Sequence, residues 1–101
     1  MSEIVLTGAN FKSEVLESQI PVLVDFWATW CPPCRALAPV IEEIAKSRTD
    51  IKVGKVNVDE QPALAAEYGI EAIPTLIVFK GGKAVNRGMG FMPRDQVEAL
   101  L

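Results

Sequence analysis

The chain alternates between two hydrophobic patterns, one typical of buried β-strands and one typical of amphipathic helices. The clearest strand is residues 20–27, a nearly continuous run of β-branched and aromatic residues that suits a central strand covered on both faces. Elsewhere, apolar residues three or four positions apart, with charged residues between them, predict helices. The other predicted strands are 51–58, 75–80 and 83–89, and the predicted helices are 10–18, the segment from Cys34 onward, 62–68 and 93–101.

With a first strand before residue 10, to which the pattern gives no bounds, the order of elements is βαβαβαββα and predicts an α/β fold. It implies one central mixed sheet of five strands, parallel first and antiparallel at the end, with four helices distributed over both faces. Gly81 and Gly82 stand between the last two strands and predict a two-residue hairpin turn. Of the 101 residues, 50% are apolar and 23% are charged, so we expect residues 1–101 to form one domain whose core needs neither metal nor disulfide.

The charge pattern excludes several classes of partner. The net charge is −3 and no stretch gathers lysines and arginines, so an electrostatic footprint for nucleic acid is missing. The longest apolar stretch, within residues 20–30, is short and contains Asp25, and the N-terminus lacks a basic segment followed by an apolar one. We therefore expect a soluble cytoplasmic monomer without a membrane segment.

Both cysteines of the chain lie in the segment WCPPC, Trp30 to Cys34, between a predicted strand and a predicted helix. The start of a helix presents free backbone N–H groups and the positive end of the helix dipole, and both favour a thiolate over a thiol. Cys31 is therefore the expected nucleophile, and Cys34 in the first helical turn is the second sulfur within reach. Pro32 and Pro33 suit the first turn of a helix and are expected to hold Cys31 at its exposed end.

Other roles for the cysteine pair fit the chain less well. A disulfide that closes so short a loop contributes only about 2 kcal/mol on the chain-entropy model, and such staples are rare in a reducing cytosol. Structural zinc takes four ligands, and a chain with no His and no further Cys supplies them only by sharing the site between two chains. Attachment of c-type haem requires a His after the second Cys, where Arg35 stands. Two inert core cysteines are a further alternative, but a position beside prolines at a strand-to-helix junction is unusual for a core, so the sequence favours redox exchange.

The segment VLVDFWATWCPPCRALAPVIEEIA resembles the active-site region of the thioredoxin family, whose pattern is an Asp-bearing strand, then W-C-x-P-C, then a helix that contains Pro. VGKVNVD at 53–59, YGIEAIPTLIVFK at 68–80 and Gly90 extend the resemblance over nearly the whole chain. The resemblance implies the thioredoxin fold and a protein-disulfide reductase that needs no cofactor and no metal. It also implies two kinds of partner: protein disulfides as substrates, and a thioredoxin-reductase-like electron donor.

Asp25 interrupts an apolar strand, so its carboxylate is expected to be buried and either to have a raised pKa or to be paired. One interpretation is structural, an ion pair with Lys55 on the neighbouring strand. The family resemblance implies another, in which Asp25 exchanges a proton with Cys34 through water. The two roles are compatible, because Lys55 would moderate the pKa shift of Asp25 without removing it.

The resemblance also implies a substrate groove around Cys31. The family's Pro before the fourth strand is cis and faces the cysteines, which assigns that position to Pro74 and leaves the backbone of Ile73 to hold an extended substrate chain. The expected groove residues are Trp30, Ile73, Pro74, Gly90 and Phe91.

Thiol–disulfide exchange is thus the predicted function, with Cys31 attacking a protein disulfide and Cys34 resolving the mixed disulfide. Two positions depart from the family pattern. Pro32 replaces the usual Gly and bears on the redox potential, and Phe91 replaces the usual small residue and bears on partner choice. The alternative is a thioredoxin-fold binding subunit of a larger complex, in which the groove binds without redox turnover.

Overall fold

The structure, a computed structural model, describes residues 3–101 and confirms the expected α/β fold, a five-stranded mixed sheet with four helices. The strands are β1 (Ile4–Val5), β2 (Val22–Trp27), β3 (Lys52–Asn57), β4 (Thr75–Lys80) and β5 (Lys83–Met89). The helices are a π-helical turn (Lys12–Leu16), α1 (Pro32–Ser47), α2 (Pro62–Glu67) and α3 (Arg94–Leu100). Within the described residues, no helix combines the length and the apolar character needed to cross a membrane.

The strands are arranged across the sheet in the order β1-β3-β2-β4-β5. Strands β1 and β2 both run parallel to β3, whereas β4 is antiparallel to β2 and β5 is antiparallel to β4. This is the arrangement, parallel first and antiparallel at the end, that the order of elements predicts. Strand β2 has a neighbouring strand on each side and a buried layer on each face, which explains its nearly continuous apolar sequence.

The side chains of β2 alternate between two core layers. Leu23 lies in the layer that α1 and α3 cover, and Val24 lies in the layer that the π-helical turn and α2 cover. The first layer also contains Leu37, Ile41, Ile44, Val53, Leu76 and Val97, and the second also contains Phe11, Val15, Phe26, Leu64, Ile77 and Phe79. By the same alternation Asp25 lies on the face of Leu23, so its carboxylate is on the side of the sheet that α1 covers.

The first helix is shorter than the predicted segment 10–18. The π-helical turn covers Lys12–Leu16, preceded by Phe11 with helical backbone angles, and the backbone N–H of Glu17 donates to the carbonyl oxygen of Lys12 at 2.9 Å, the wide spacing of a π-helix. Phe11 and Val15 are nevertheless buried, so the apolar positions that predicted a helix do face the core. The side-chain pattern therefore located the buried face, but over so few residues it does not distinguish one helical hydrogen-bond spacing from another.

The turn between β4 and β5 confirms the predicted hairpin. Lys80 and Lys83 are register partners, and the two residues between them, Gly81 and Gly82, have φ angles of 59° and 79°. A two-residue hairpin turn with positive φ at both positions matches the twist of the strands that it joins. Glycine is favoured at both positions because it has no Cβ to oppose this left-handed conformation.

Gly54 of β3 lies directly against Leu6, and we expect Gly54→Ala to lower the free energy of unfolding by about 1–3 kcal/mol. A Cβ at position 54 would lie 2.8 Å from Cγ of Leu6, a side chain that is itself buried in the core. The backbone at Gly54 cannot move away, because it pairs with Ile4 of β1 on one side and with Val24 of β2 on the other. Denaturant unfolding measures the change.

Gly8→Ala is the matched control for this substitution. The nearest atom to a Cβ at position 8 is Oε1 of Gln61 at 3.9 Å, an ordinary contact distance. We expect the control to stay within about 0.5 kcal/mol of the parent, as is usual for surface positions. Equal losses of stability in the two variants would mean that the contact with Leu6 is not what restricts position 54.

Candidate active site

The two cysteines lie where β2 leads into α1, and they form a disulfide. Their Cα atoms are 5.2 Å apart. Cys31 has extended backbone angles and is the N-cap residue of α1, and its Sγ accepts a hydrogen bond from the backbone N–H of Cys34 at 3.2 Å. The favourable environment that the sequence predicts for a Cys31 thiolate therefore includes a specific donor at the helix start.

The two prolines reduce the number of backbone N–H donors at the start of α1. Pro32 and Pro33 occupy the first two positions of α1, and neither has a backbone N–H. Cys34 therefore carries the first backbone N–H that the helix offers, and that N–H points at the sulfur of Cys31. The electropositive helix end thus acts on Cys31 mainly through one hydrogen bond rather than through several.

Both cysteines are buried, with 3% of Cys31 and 2% of Cys34 exposed. This corrects the expectation that Cys31 stands at the exposed end of the helix. The pair packs against Trp27, Val58 and Ile73, and Sγ of Cys31 lies 3.7 Å from the carbonyl oxygen of Ile73. The prolines set the direction of the backbone at the helix start, but segments distant in sequence cover the sulfur, and the local motif carries no information about them.

Asp25 is 1% exposed, and neither of its carboxylate oxygens has a hydrogen-bond partner within residues 3–101. Burial raises the pKa of this carboxyl to about 7, while the nearby charge of Lys55 acts to lower it and that of Glu3 acts to raise it. Cys34 is the first buried residue of α1. The next one, Leu37, packs in the core layer on the face of the sheet that holds Asp25. A carboxyl that can gain or lose a proton near neutral pH therefore lies in the layer toward which the second cysteine points.

Lys55 is the register partner of Asp25 across β2 and β3. The ion pairs formed within residues 3–101 do not include an Asp25–Lys55 pair, so the interpretation of Asp25 as a salt-bridge residue is wrong. The ammonium group of Lys55 instead lies 4.5 Å from the centroid of the Trp27 ring, in a cation–π contact. Lys55 thus affects the pKa of Asp25 through space while its own contact is with the tryptophan.

The segment around Ile73 and Pro74 borders the disulfide. The peptide bond between these two residues is cis, as the family resemblance implies. The backbone N–H of Ile73 has no hydrogen-bond partner within residues 3–101. Gly90, directly after β5, donates its N–H to the carbonyl oxygen of Pro74 at 2.8 Å, and the next residue, Phe91, is 52% exposed. The structure therefore connects the segment that carries Gly90 and Phe91 to the segment that touches Cys31.

Trp30, the residue before Cys31, is 64% exposed. A shallow, mainly apolar depression of about 190 Å³ runs from Trp30 to Ile73 and is lined in part by Val58 and Ile70. The indole N–H of Trp30 donates to the carboxylate of Asp59 at 2.8 Å, which holds the exposed ring in one orientation. Of the predicted groove residues, Ile73 packs against the cysteines and lines the same depression as Trp30, and the rings of Trp30 and Phe91 are exposed whereas the sulfurs are buried.

Two acidic residues at the site were not among the sequence-predicted residues. Asp59 anchors Trp30, and Glu3 lies close enough to Asp25 to affect its pKa. The pairing of β2 with β3 could have indicated Asp59. Trp27 and Asn57 are register partners at the ends of these parallel strands, so Trp30 and Asp59, which follow them, leave the same edge of the sheet. No local pattern points to Glu3, which reaches the site only through the pairing of β1 with β3.

The chain is similar over its whole length to proteins of one family. A family model described as "Thioredoxin" matches residues 2–101. "Thioredoxin 1" of Synechococcus elongatus is 58% identical over 97 residues, which cover 95% of this chain and 91% of that protein. "Thioredoxin 1" of Nostoc sp. is 53% identical with the same coverage. "Thioredoxin M-type, chloroplastic" of Chlamydomonas reinhardtii is 56% identical over 89 residues, 87% of this chain and 64% of that protein.

We expect Asp25→Asn to stabilise the disulfide form of the protein in a pH-dependent way. Folding raises the pKa of Asp25 from its ordinary value of 3.8 to about 7, so the folded protein holds this proton where the unfolded chain has lost it. The cost of the buried charge grows as the pH rises between these two values and is constant above about 7, whereas Asn is neutral throughout. The gain in unfolding free energy should therefore be small near pH 4 and approach about 4 kcal/mol above pH 7.

Denaturant unfolding at several pH values measures this gain, with Asp95→Asn on the exposed start of α3 as a control for the loss of one negative charge. The control should show no comparable increase with pH, because Asp95 stays in contact with water. If the Asp25→Asn and parent proteins keep a constant difference in stability from pH 4 to pH 8, the carboxyl of Asp25 is not held in its protonated form by burial.

Proposed function

The chain belongs to the thioredoxin family, and we propose that it reduces protein disulfides with Cys31 as the attacking sulfur and Cys34 as the resolving sulfur. It is a dithiol–disulfide oxidoreductase, and its redox-active group is the disulfide between these two cysteines. The observation that carries the assignment of roles is the hydrogen bond from the Cys34 N–H to Sγ of Cys31. This donor favours negative charge on Cys31, and within residues 3–101 no such donor reaches the sulfur of Cys34.

In the proposed cycle, the Cys31 thiolate attacks one sulfur of a substrate disulfide, forms a mixed disulfide, and displaces the other substrate sulfur as a thiolate. The Cys34 thiolate then attacks Sγ of Cys31, which closes the Cys31–Cys34 disulfide and releases the second substrate sulfur. Two electrons pass from the protein to the substrate, and the released thiolates take up protons. A reductase supplies two electrons to restore the dithiol, and no bound cofactor takes part.

Asp25 is the proposed proton acceptor for Cys34, acting through an intervening water. The thiolate and not the thiol is the attacking form of a cysteine, so Cys34 must give up the thiol proton before it can attack the mixed disulfide. A buried carboxyl with a pKa raised to about 7 accepts and returns a proton near neutral pH, which an ordinary surface aspartate does not do. The position of Asp25 on the α1 side of the sheet, the side that Cys34 faces, supports this role.

The proposed groove binds an extended stretch of the substrate protein. The backbone N–H of Ile73, which has no hydrogen-bond partner within residues 3–101, and its carbonyl oxygen, which lies 3.7 Å from Sγ of Cys31, would pair with an extended chain as an added strand pairs with a sheet edge. The exposed rings of Trp30 and Phe91 give this stretch apolar contacts on either side of the disulfide. Pro74 and Gly90, joined by a hydrogen bond, support the floor of the groove between them.

The alternative from the sequence, a binding subunit without redox turnover, is not favoured. A binding module has no need of a disulfide at a helix start or of a carboxyl buried at the cost of several kcal/mol. The family supports protein disulfides as substrates and a reductase as electron donor. We further propose that the protein works as a monomer in the cytoplasm, does not bind nucleic acid, and forms one domain over residues 1–101. A net charge of −3 without a basic cluster supports the exclusion of nucleic acid.

The assigned roles predict which cysteine variant traps substrates. Cys34→Ser keeps the attacking sulfur and loses the resolving one. It should therefore accumulate covalent mixed disulfides with a test protein that contains a disulfide, or with substrates from a cell extract. Cys31→Ser should trap little or none. Non-reducing gel electrophoresis after blocking free thiols measures both, and equal trapping by the two variants would show that the roles are wrongly assigned.

The proposed groove predicts a selective effect of Phe91→Ala. Removing the exposed ring should raise KM for a protein disulfide about fivefold, equivalent to ~1 kcal/mol of lost apolar contact, and leave kcat nearly unchanged. The rate with a small disulfide such as glutathione disulfide should not change, since it does not reach across the groove. Val85→Ala, at a similarly exposed position on β5, is the control. An equal increase in KM in the two variants would show that the Phe91 ring makes no specific contact with the substrate.

A further inference from the structure

Glu3 lies beside the buried charges of the site, although it precedes the first strand. Strand β1 pairs with β3, and Val5 is the register partner of Lys55. Side chains two positions apart on an extended segment share a face, so Glu3 lies on the same face as Val5 and Lys55. Asp25 is the other register partner of Lys55, and it lies on that face as well. The strand order β1-β3-β2 therefore places Lys55 between two carboxylates.

Neither carboxylate is neutralised by direct contact. Oε1 of Glu3 is buried and, like both oxygens of Asp25, has no hydrogen-bond partner within residues 3–101. Lys55 directs its ammonium group over the ring of Trp27 rather than to either carboxylate. Within residues 3–101, Lys55 forms an ion pair with neither acid, so both carboxylates lie in the field of one cation, and the burial of Asp25 strengthens their mutual repulsion.

We propose that Glu3 is a positioning residue for proton transfer: by competing with Asp25 for the charge of Lys55 and adding its own, it strengthens the hold of Asp25 on its proton. The inference rests on the proposed role of Asp25 as proton acceptor. It assigns a chemical effect to the N-terminal strand, which otherwise contributes only a short edge to the sheet.

The charges around the pair support the proposal. Burial is the main cause of the raised pKa of Asp25, with Lys55 acting to lower it and Glu3 acting to raise it. Burial also raises the pKa of Glu3, again opposed by Lys55, and Glu42 of α1 adds a further increase. Glu42 itself pairs with Lys46 at 3.0 Å on the exposed side of α1. Within residues 3–101, the charge that acts on both acids is that of Lys55 from β3, and Glu42 of α1 acts on Glu3 from the exposed side of its helix.

The direct test is a titration of the side-chain carboxyl carbon of Asp25 by NMR in the disulfide form, in which neither cysteine titrates. Glu3→Gln keeps the size and shape of the side chain but removes its charge, and it should lower the midpoint of the Asp25 titration by about 0.3–1 pH unit. Glu3→Asp retains the negative charge, so the midpoint of the Asp25 titration should stay close to that of the parent protein.

Glu67→Gln is the matched control, because it removes the same charge from α2, the helix on the opposite face of the sheet. It should leave the Asp25 midpoint unchanged. An unchanged midpoint in Glu3→Gln, or an equal shift in the Glu67→Gln control, would overturn the proposal. Because the readout is the carboxyl itself and not a reaction rate, a failed coupling is distinguishable from a failure of the catalytic role of Asp25, which the pH dependence of exchange by Asp25→Asn tests separately.

Discussion

The burial of β2 on both faces is the constraint on which the site depends. Neighbouring strands on either side satisfy its backbone, and its side chains enter two core layers, so a polar side chain on this strand is separated from water. Asp25 is that side chain, and its raised pKa follows from the layer in which it lies. The same strand ends at Trp27, shortly before the disulfide. One buried strand thus isolates a proton site and leads directly into the redox-active helix start.

The proposed proton acceptor and the proposed partner-binding side chains differ in their exposure to water. Asp25 and the buried residues of α1, where we propose that protons are exchanged, are shielded from water, whereas the rings of Trp30 and Phe91, where we propose that partners bind, are exposed. Cys31 is buried, so a partner reaches the sulfur only by contact with the surrounding surface. Changes to the exposed rings can therefore alter which proteins react while the proposed proton exchange at Asp25 stays the same.

The parts that could be predicted from the sequence are those encoded by neighbouring residues. The run in β2, the Gly81–Gly82 turn and the position of the cysteines at a helix start follow from local pattern and backbone preference. The groove residues came from the family resemblance, since nothing local brings Trp30 and Gly90 to the same region.

The features that could not be predicted from the sequence depend on contacts between segments that are far apart in the chain. The burial of Cys31, the bond from Trp30 to Asp59 and the placement of Glu3 beside Lys55 all depend on how distant segments lie against one another. The missing Asp25–Lys55 ion pair has the same origin. Register brought the two residues together, but the Trp27 ring beside them offered the ammonium group a different contact.

The chain contains two cysteines, and both are in the active disulfide. Each molecule therefore carries one electron pair at a time, and the oxidised molecule has no thiol left with which to form a covalent link to another protein. Any disulfide-linked adduct of this chain must form at Cys31 or Cys34 and is a mixed disulfide that has not yet been resolved. The capacity of the protein as an electron carrier is thus set by its copy number and by the frequency of its encounters, because no second thiol pair stores further electrons.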